Sequence, residues 1–255
     1  MFTKMYKKLV AVVIPVHNEK PTYFEEISIR QCLKVLGKYP LVFLSRTTLD
    51  TSRYEELCRG REDVSFLKMD YRPGVYGFDE LMVSSQFYEH FLDYKFILIY
   101  HTDSFVFRDE LEEWCSKDYD YVGAAIYNTD FINMFWTYSK LRHFLKLTKN
   151  RYNGNGGFCL RKVKPHYINS KIFKPFATDV GKGFGEDMFW SFKIPLLNPF
   201  FNVPRFEKVK NFGYDGGPRE LFELNNRQLP FGCHRWHMYD LEFWRPYFKE
   251  QGFVV

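Results

Sequence analysis

The sequence has no long hydrophobic segment. Its longest apolar runs lie at residues 9–16, 96–100 and 131–136, and each is far shorter than the ~20 residues that cross a bilayer. No apolar stretch with a small-residue cleavage site follows the lysines of the first nine residues, so we expect no secretory signal. The sequence therefore predicts neither a membrane span nor export.

Cysteine is scarce as well. The five cysteines are scattered, odd in number and never spaced as a C-x-x-C pair. Disulfide frameworks and zinc sites need such pairs, whereas single cysteines are typical of a reduced compartment. We therefore expect a cytoplasmic protein with free thiols.

The excess of positive charge is also small. The 36 basic and 31 acidic residues leave a net charge of +5, and no concentrated basic stripe or recognisable motif is present, which excludes a nucleic-acid-binding module. The charge is compatible with phosphate-bearing ligands or an anionic membrane surface. A hydrophobic content of 45% and a mean hydropathy of −0.37 are typical of a globular protein with a sizeable core.

Short apolar runs alternate with helical patterns through the first hundred residues. Four runs rich in apolar residues predict strands: buried strands at residues 9–16 and 41–44, a third strand at 64–69 and a fourth at 96–100. The intervening patterns predict a helix over 29–36 that Gly37 caps, a short helix from a Ser52–Glu55 capping box to Gly60, and a helix over 78–92. This alternation predicts an α/β fold with a mainly parallel sheet between helices.

Polar residues follow several of these predicted strands. The carboxyl ends of parallel strands meet at one edge of the sheet, where ligands bind, so we expect one crevice to contain His17, Asp70, His101, Thr102 and Asp103. A carboxylate held there can supply an oxygen ligand for a divalent ion bound to a diphosphate. Capping of the next turn by Asp103 is the alternative.

The second half of the chain loses this alternation and carries three further motifs. Gly154, Gly156 and Gly157 precede a predicted strand and allow close approach of a ligand, or else form a tight hairpin. Two carboxylates open an apolar helix at 186–187, where the helix dipole favours their ionised forms and where capping alone explains one of them. A histidine pair at 234 and 237 lacks the second ligand pair of a zinc site and is compatible with a structural role.

These segments together resemble the GT-A-fold glycosyltransferases. The resemblance spans residues 10–237 and rests on Val-Val-Ile-Pro-Val-His-Asn-Glu, Thr-Asp-Ser-Phe-Val-Phe-Arg, Asn-Gly-Gly-Phe-x-Leu-Arg, Glu-Asp-x-Phe-Trp and Pro-Phe-Gly-Cys-His. The set is similar to one small bacterial-type family. It implies a GT-A-like, Rossmann-like sheet and, because no repeat or linker is visible, one domain over 1–255. Its nucleotide-binding half would cover about 9–125 and its acceptor and catalytic half about 126–255.

The resemblance implies a nucleotide-diphosphate-sugar as donor and a divalent ion, Mn²⁺ or Mg²⁺. The implied metal ligands are Asp103, His234 and His101, which takes the place of the first aspartate of the family's Asp-x-Asp element. Arg235 would neutralise diphosphate charge. The implied donor-binding residues are Pro15, Val16, His17, Asn18, Glu19, Asp70, Thr102, Asp103, Gly156, Gly157 and Arg235.

The resemblance also implies the chemistry. Asp187 would be the general base that takes the proton of an acceptor hydroxyl, and Glu186 would position that acceptor. The expected reaction is sugar transfer with inversion to a glycan or a lipid-linked acceptor, in the synthesis of bacterial surface polysaccharide or lipopolysaccharide. Retention of configuration stays open at this point.

An aromatic patch at 131–138 precedes a basic run at 140–151. We interpret the pair as a peripheral contact with an anionic membrane at its inner face. A core-facing helix with a solvated basic face is the alternative.

Two other functions compete with sugar transfer. A sugar-1-phosphate nucleotidyltransferase would carry a basic, glycine-rich loop after the first strand, where this chain has His17-Asn18-Glu19-Lys20. A non-catalytic nucleotide- or glycan-binding relative is the second alternative, because His101 replaces an acidic metal ligand.

Overall fold

The structure is a computed structural model that describes residues 6–127, 152–182 and 185–255. The strands of this part are β1 Lys8–Pro15, β2 Leu41–Arg46, β3 Val64–Met69, β4 Tyr94–Tyr100, β5 Ser104–Val106, β6 Tyr121–Ile126, β7 Tyr152–Lys162, β8 Gly213–Tyr214 and β9 Gly232–His234. Its α-helices are α1 Tyr23–Val35, α2 Ser52–Leu57, α3 Val75–Met82, α4 Ser85–Glu89, α5 Leu111–Ser116, α6 Val163–Ile172, α7 Glu186–Met188, α8 Ile194–Leu197, α9 Phe206–Val209, α10 Pro218–Leu224 and α11 Leu241–Glu250. A 3₁₀ turn covers Lys174–Phe176, and a π-helical turn over Phe189–Lys193 joins α7 to α8.

The strands form one sheet in the order β3-β2-β1-β4-β7-β6-β8-β9-β5. Strands β3, β2, β1 and β4 are parallel. Strand β7 is antiparallel to both β4 and β6, and β5 is antiparallel to β9. The predicted α/β fold with a mainly parallel sheet is confirmed, and the second half adds the antiparallel strands.

Strand β1 shows why the inner parallel strands are largely apolar runs in the sequence. Val10, Val12 and Ile14 pack on one face of the sheet, while Ala11 and Val13 pack on the other. None of the five is more than 3% exposed. A strand covered on both faces needs apolar residues at successive positions, and β2 and β4 show the same buried pattern. The edge strand β3 does not, because Ser65 and Lys68 are exposed.

Helix α1 begins earlier than its apolar spacing predicts. The Thr22 hydroxyl accepts a hydrogen bond from the Glu25 N–H, and the Glu25 carboxylate accepts one from the Thr22 N–H, so a capping box starts the helix at Tyr23. Helix α1 ends next to Gly37, as predicted: Leu36 is the C-cap residue, and Gly37 follows it without a positive φ. A Cβ at this position would lie 2.2 Å from the Leu33 carbonyl oxygen, so the glycine allows a close approach instead.

Two other helix predictions need correction. The capping box predicted at Ser52 is absent, because Thr51 is the N-cap residue and its side chain makes no capping hydrogen bond; helix α2 ends at Leu57. The helix predicted over 78–92 is two helices, because Ser84 interrupts it and caps α4 by accepting a hydrogen bond from the Phe87 N–H. No helix in the described ranges is long and apolar enough to cross a membrane.

Candidate functional site

Three separate segments meet at the carboxyl end of β4. His101, Thr102 and Asp103 follow this strand, and the His101 N–H donates to the Gly157 carbonyl on β7 at 2.8 Å. Strand β9 pairs with β5 so that His234 lies opposite Ser104. The N–H of Arg235, the next residue, donates to the Asp103 carbonyl at 2.9 Å. The sheet topology therefore brings the predicted metal ligands together.

His101, Asp103 and His234 form a compact cluster. One potential ligand atom from each lies within 4.8 Å of the other two, and His234 Nε2 is 3.1 Å from Asp103 Oδ1. His101 Nε2 is buried and has no hydrogen-bond partner among the described residues. A buried ring nitrogen without a partner is costly, and it is an available ligand atom.

Charge is distributed unevenly over this cluster. Burial opposes protonation of His234, but the carboxylates of Asp103 and Asp215 raise the pKa of His234 to about 9. Burial also opposes ionisation of Asp103, yet the two histidines hold the pKa of its carboxyl well below the usual range. Burial and then His234 lower the pKa of His101 to about 3. At neutral pH the cluster holds a carboxylate, an imidazolium and a neutral imidazole.

Asp215 lies at the second ring nitrogen of His234, and no sequence motif indicated it. Its Oδ1 lies 3.4 Å from His234 Nδ1, and its side chain is fully buried. Its carboxylate also accepts two hydrogen bonds from the Arg235 guanidinium. A carboxylate on the second ring nitrogen fixes the orientation of a metal-ligating histidine. The signal in the sequence was an acidic residue at the end of the short apolar run 212–214.

A cavity of about 300 Å³ adjoins the cluster. The Glu25 carboxylate lies in its wall, where it accepts hydrogen bonds from the Thr102 hydroxyl at 2.8 Å and the Thr22 N–H at 2.7 Å. The capping box of α1 therefore also builds this wall. The His237 ring stacks on Phe24. The residues that line the cavity are Pro15, His17, Asn18, Thr22, Glu25, His101, Thr102, Asp103 and His237.

Gly156 and Gly157 separate this cluster from a second group of polar residues. A Cβ at Gly157 would lie 2.0 Å from His234 Nε2, and a Cβ at Gly156 would lie 2.1 Å from Glu186 Oε1. Neither position has room for a side chain. The glycine pair therefore lets β7 pass between His234 on one side and the Glu186–Asp187 pair on the other.

The surroundings of Asp187 favour its protonated form, whereas those of Asp103 favour the carboxylate. Its carboxylate accepts a hydrogen bond from the Met188 N–H at 2.7 Å and one from the Gly156 N–H. Burial, and then the neighbouring Glu186 carboxylate, raise the pKa of Asp187 to about 7. Glu186 pairs with the fully buried Arg161 at 2.8 Å.

A family model described as "Protein of unknown function (DUF5672)" matches residues 61–234, about two thirds of the chain. The chain belongs to this family. No curated protein matches it. Among solved structures, the DUF5672 chain is similar to the galactosyltransferase LgtC in complex with donor and acceptor sugar analogues, at 11% identity and a TM-score of 0.55, over 88% of this chain and 86% of that one.

Two further structures share this fold. WbbM, a bifunctional glycosyltransferase in its apo form, is 14% identical with a TM-score of 0.55, over 91% of the DUF5672 chain and 46% of WbbM. The apo-form glycosyltransferase GlyE of Streptococcus pneumoniae TIGR4 is 11% identical with a TM-score of 0.52, over 89% of this chain and 54% of GlyE. The DUF5672 chain thus spans about half the length of both, and the GT-A-like fold is confirmed.

Only some of the predicted donor-binding residues line the cavity. Pro15, His17, Asn18, Thr102 and Asp103 line the cavity. The side chain of Val16 is in the core. Glu19 and Asp70 are not among the lining residues, and Arg235 pairs with Asp215. The aromatic patch at 131–138 and the basic run at 140–151 lie outside the described residues.

Proposed function

We propose that this DUF5672 protein is a glycosyltransferase that uses a nucleotide-diphosphate-sugar donor. The observation that carries the proposal is the His101–Asp103–His234 cluster. It lies beside the cavity that Glu25 lines, at the carboxyl ends of the strands of a GT-A-like sheet. A crevice at this rim is where open α/β sheets bind nucleotides.

The cluster suits a divalent cation. Its donor set is two imidazoles and one carboxylate, and the orphaned His101 Nε2 would gain a partner on binding. Two nitrogen ligands favour Mn²⁺ over Mg²⁺, which prefers an all-oxygen shell. When bound, the cation would neutralise charge on the departing diphosphate. His101, Asp103 and His234 would hold it, and Asp215 would keep His234 oriented.

The cavity wall suits the nucleoside part of the donor. The Glu25 carboxylate, fixed by Thr22 and Thr102, presents acceptor oxygens that match the hydroxyls of a ribose. His17 and Asn18, from the loop after β1, would contact the base or ribose. Glu19, Asp70 and Arg235 keep their predicted donor-binding roles as parts of this proposal.

Asp187 would be the general base of an inverting, single-displacement reaction. Its carboxylate would take the proton of the acceptor hydroxyl while that oxygen bonds to the anomeric carbon and the bond from this carbon to the diphosphate oxygen breaks. A carboxylate whose pKa is raised to about 7 is suited to a base at neutral pH. Glu186, held by Arg161, would position the acceptor.

The cellular setting follows from the resemblance of the motifs. We propose a cytoplasmic enzyme of surface polysaccharide or lipopolysaccharide synthesis, peripheral to the inner face of the membrane, with a glycan or lipid-linked acceptor. The likeness to LgtC, described with donor and acceptor sugar analogues, supports sugar transfer. All five cysteines are free and buried, which is compatible with a reduced compartment.

Donor binding is the first test. We expect one of UDP-, GDP-, dTDP- or CMP-sugars, with Mn²⁺, to raise the melting temperature, since a ligand at 100 times its Kd stabilises the fold by about 2.7 kcal/mol. Asp103→Asn should abolish the shift, whereas Asp93→Asn, an exposed aspartate that pairs with Lys7, should keep it. The absence of a shift with every sugar nucleotide would contradict the proposal.

The mechanism is tested with the donor so identified. Asp187→Asn should reduce transfer by a factor of about 10² to 10⁴, the usual contribution of a general base, and leave donor binding nearly intact. The anomeric configuration of the product, read by NMR, should be inverted. Near-normal turnover in the variant would rule out Asp187 as the base, and a retained configuration would rule out single displacement.

A further inference from the structure

Helix α6 leaves one side of its surface open to solvent. Its buried residues, Val163 among them, face the sheet. The residues on the opposite side are exposed, namely Lys164, Ile168, Lys171 and Ile172, and the side chain of Ile172 is 60% exposed. Positions separated by four, seven and eight residues lie on one face of an α-helix, so two isoleucines and two lysines share this solvated face.

Aromatic rings extend the exposed face. Phe176 lies in the 3₁₀ turn that follows α6, where its N–H donates to the Phe173 carbonyl at 2.9 Å, and it is 48% exposed. Phe200 is 91% exposed. Its N–H donates to Asn198 Oδ1 at 3.1 Å, and Asn198 Nδ2 donates to Asn169 Oδ1 at 2.9 Å, so the turn that carries Phe200 is fixed to α6. Exposed apolar side chains that cluster, rather than lie singly, mark an interaction site.

The charge of the same segment has one sign. Residues 162–178 contain four lysines and no acidic residue. Lys162 pairs with Asp118 at 2.8 Å, whereas Lys164, Lys171 and Lys174 are exposed. Together with the two isoleucines and the two rings, these three exposed lysines form what we call the α6 surface. Lysines beside an anionic membrane strengthen binding by about five-fold each.

A cavity of about 510 Å³ opens beside these lysines. Lys171 and Lys174 line it, together with the hydroxyl-bearing residues Ser85 and Thr178. The acidic residue in its wall, Glu80, already forms an ion pair. Ammonium and hydroxyl groups are hydrogen-bond donors for phosphate oxygens. The cavity therefore suits the headgroup of a phospholipid.

We propose that the α6 surface docks the protein on a membrane of anionic phospholipid, with the lysines at the headgroups and the apolar side chains among the upper acyl chains. An amphipathic face of this composition lies in the membrane interface. A soluble polyanion would satisfy the lysines and leave the isoleucines and the rings in water. A second copy of the chain, packed face to face, would bring like charges together. A membrane satisfies both classes of side chain.

The α6 surface lies on the side of the sheet that carries the proposed base. Val163 of α6 and Met188 of α7 belong to the same part of the core, and α7 holds Asp187. A lipid-linked acceptor in the docked membrane would therefore approach on the face where its hydroxyl is to lose a proton. The inference rests on the proposed function for this membrane setting, and it adds the surface that makes the contact.

Co-sedimentation of the full chain with vesicles tests the lysines. The chain should bind vesicles of phosphatidylglycerol and phosphatidylcholine, and should bind vesicles of phosphatidylcholine alone much more weakly. Replacing Lys164, Lys171 and Lys174 together by glutamine should lower the affinity for the anionic vesicles by about 100-fold, at about five-fold for each lysine. Equal binding to the two kinds of vesicle would overturn the proposal. Unchanged binding of the triple variant would overturn it too, because another surface, such as 140–151, would then make the contact.

The matched control removes the same charge elsewhere. Lys34 on α1, Lys208 on α9 and Lys249 on α11 are exposed, and α1 and α9 pack on the opposite face of the sheet through Leu33 and Val209. Replacing these three lysines by glutamine should change the affinity by less than about three-fold, because the attraction falls off within a Debye length of ~10 Å. An equal loss in the two triple variants would mean that net charge determines binding, and would overturn the proposal.

A single substitution tests the apolar part of the α6 surface. Ile172→Gln should lower the affinity for the anionic vesicles by about ten-fold, because less apolar area enters the membrane. Val254→Gln, which alters an aliphatic residue that is 81% exposed, should leave the affinity unchanged. Both residues are exposed, so neither change should lower the melting temperature. A dimer in sedimentation velocity that Ile172→Gln dissociates, with vesicle binding unchanged, would mean that the surface joins two copies and that the proposal is wrong.

These measurements need neither donor nor cation, so they separate membrane docking from sugar transfer. Asp103→Asn should bind vesicles as the unaltered chain does. If the vesicle results are as expected and no sugar nucleotide binds, the proposed function fails and the docking stands. If a sugar nucleotide binds and the vesicle results are not as expected, the docking alone fails.

Discussion

Asp103 and Asp187 lie on the two sides of the Gly156–Gly157 pair and differ in protonation. Asp103 is beside His234 and His101, and the pKa of its carboxyl is held well below the usual range. Asp187 is beside Glu186, with burial as the main cause, and its pKa is raised to about 7. One residue type thus suits cation binding on one side and proton transfer on the other.

The difference in pKa follows from the charged groups that neighbour each carboxylate. Asp103 is near two imidazoles, and Asp215 adds a second negative charge that keeps His234 protonated. On the other side, Glu186 already pairs with the buried guanidinium of Arg161. Solvent exposure does not separate the two sites, because Asp103 and Asp187 are both half-buried. The partners of each carboxylate decide its charge.

The largest expected effect concerns the cation on the Asp187 side. Arg161→Met should lower the free energy of unfolding by about 3–5 kcal/mol at pH 7, because it leaves the buried Glu186 charge uncompensated. Urea unfolding at pH 7 measures this loss. The control is Arg72→Met, which breaks an exposed pair with Glu80 and should cost under about 1 kcal/mol. Equal losses in both variants would contradict the buried-pair assignment.

The next prediction tests whether Asp103, and not Asp187, binds the cation. Asp103→Asn should weaken Mn²⁺ binding by more than about 100-fold, beyond the range for residues that only support a ligand. Asp187→Asn should leave the affinity within about two-fold. Titration calorimetry with Mn²⁺ measures both. Equal weakening by the two substitutions would mean that one site includes both carboxylates and would end the comparison.

Asp215 should have an intermediate effect. Asp215→Asn should lower Mn²⁺ affinity by about 10- to 100-fold, because His234 loses the carboxylate that orients its ring. The pKa of His234 should fall in the same variant, because a neighbouring negative charge is removed, and ¹H–¹⁵N spectra of the imidazole report this. Asp179→Asn, which alters an aspartate paired with Lys193, should change neither quantity. Unchanged affinity in Asp215→Asn would exclude the supporting role.

The smallest effect is a pH dependence. His234 has a pKa raised to about 9 and must lose its proton to bind a cation. Below that pH, the apparent Mn²⁺ affinity should therefore fall by about ten-fold, or ~1.4 kcal/mol, per pH unit. Calorimetry at pH 7 and 8 in buffers of different ionisation enthalpy should show about one proton released. An affinity that is constant over this range would mean that His234 is not a ligand.

Much of the amino-terminal half was predictable from the sequence, because its signals are local. The four predicted strands became β1–β4. In β1, β2 and β4 the reason is that strands covered on both faces need apolar residues at successive positions. Helix boundaries were less predictable. Thr22 and Glu25 form a capping box, whereas Ser52 and Glu55 have the same pattern and form none, because competing local hydrogen bonds, such as that of Ser52 with Asp50, decide the outcome.

The sequence predicted individual residues of the candidate site, but not which of their side chains contact one another. The sequence singled out Asp103, His234 and Asp187 as residue types in motif positions. It did not indicate Asp215 or Glu25, because neither lies in a motif whose local pattern points to chemistry. Their roles come from contacts between segments that are far apart in the chain.

By itself, the sequence determined the four amino-terminal strands, the α/β fold and which residue types stand at the rim of the sheet, because hydrophobic periodicity and backbone chemistry act over a few residues. Only the tertiary structure decided which of those side chains carry charge. Ionisation depends on burial and on neighbours within a few ångströms, and in this protein those neighbours come from β7, β9, α7 and the segments that follow β4 and β8.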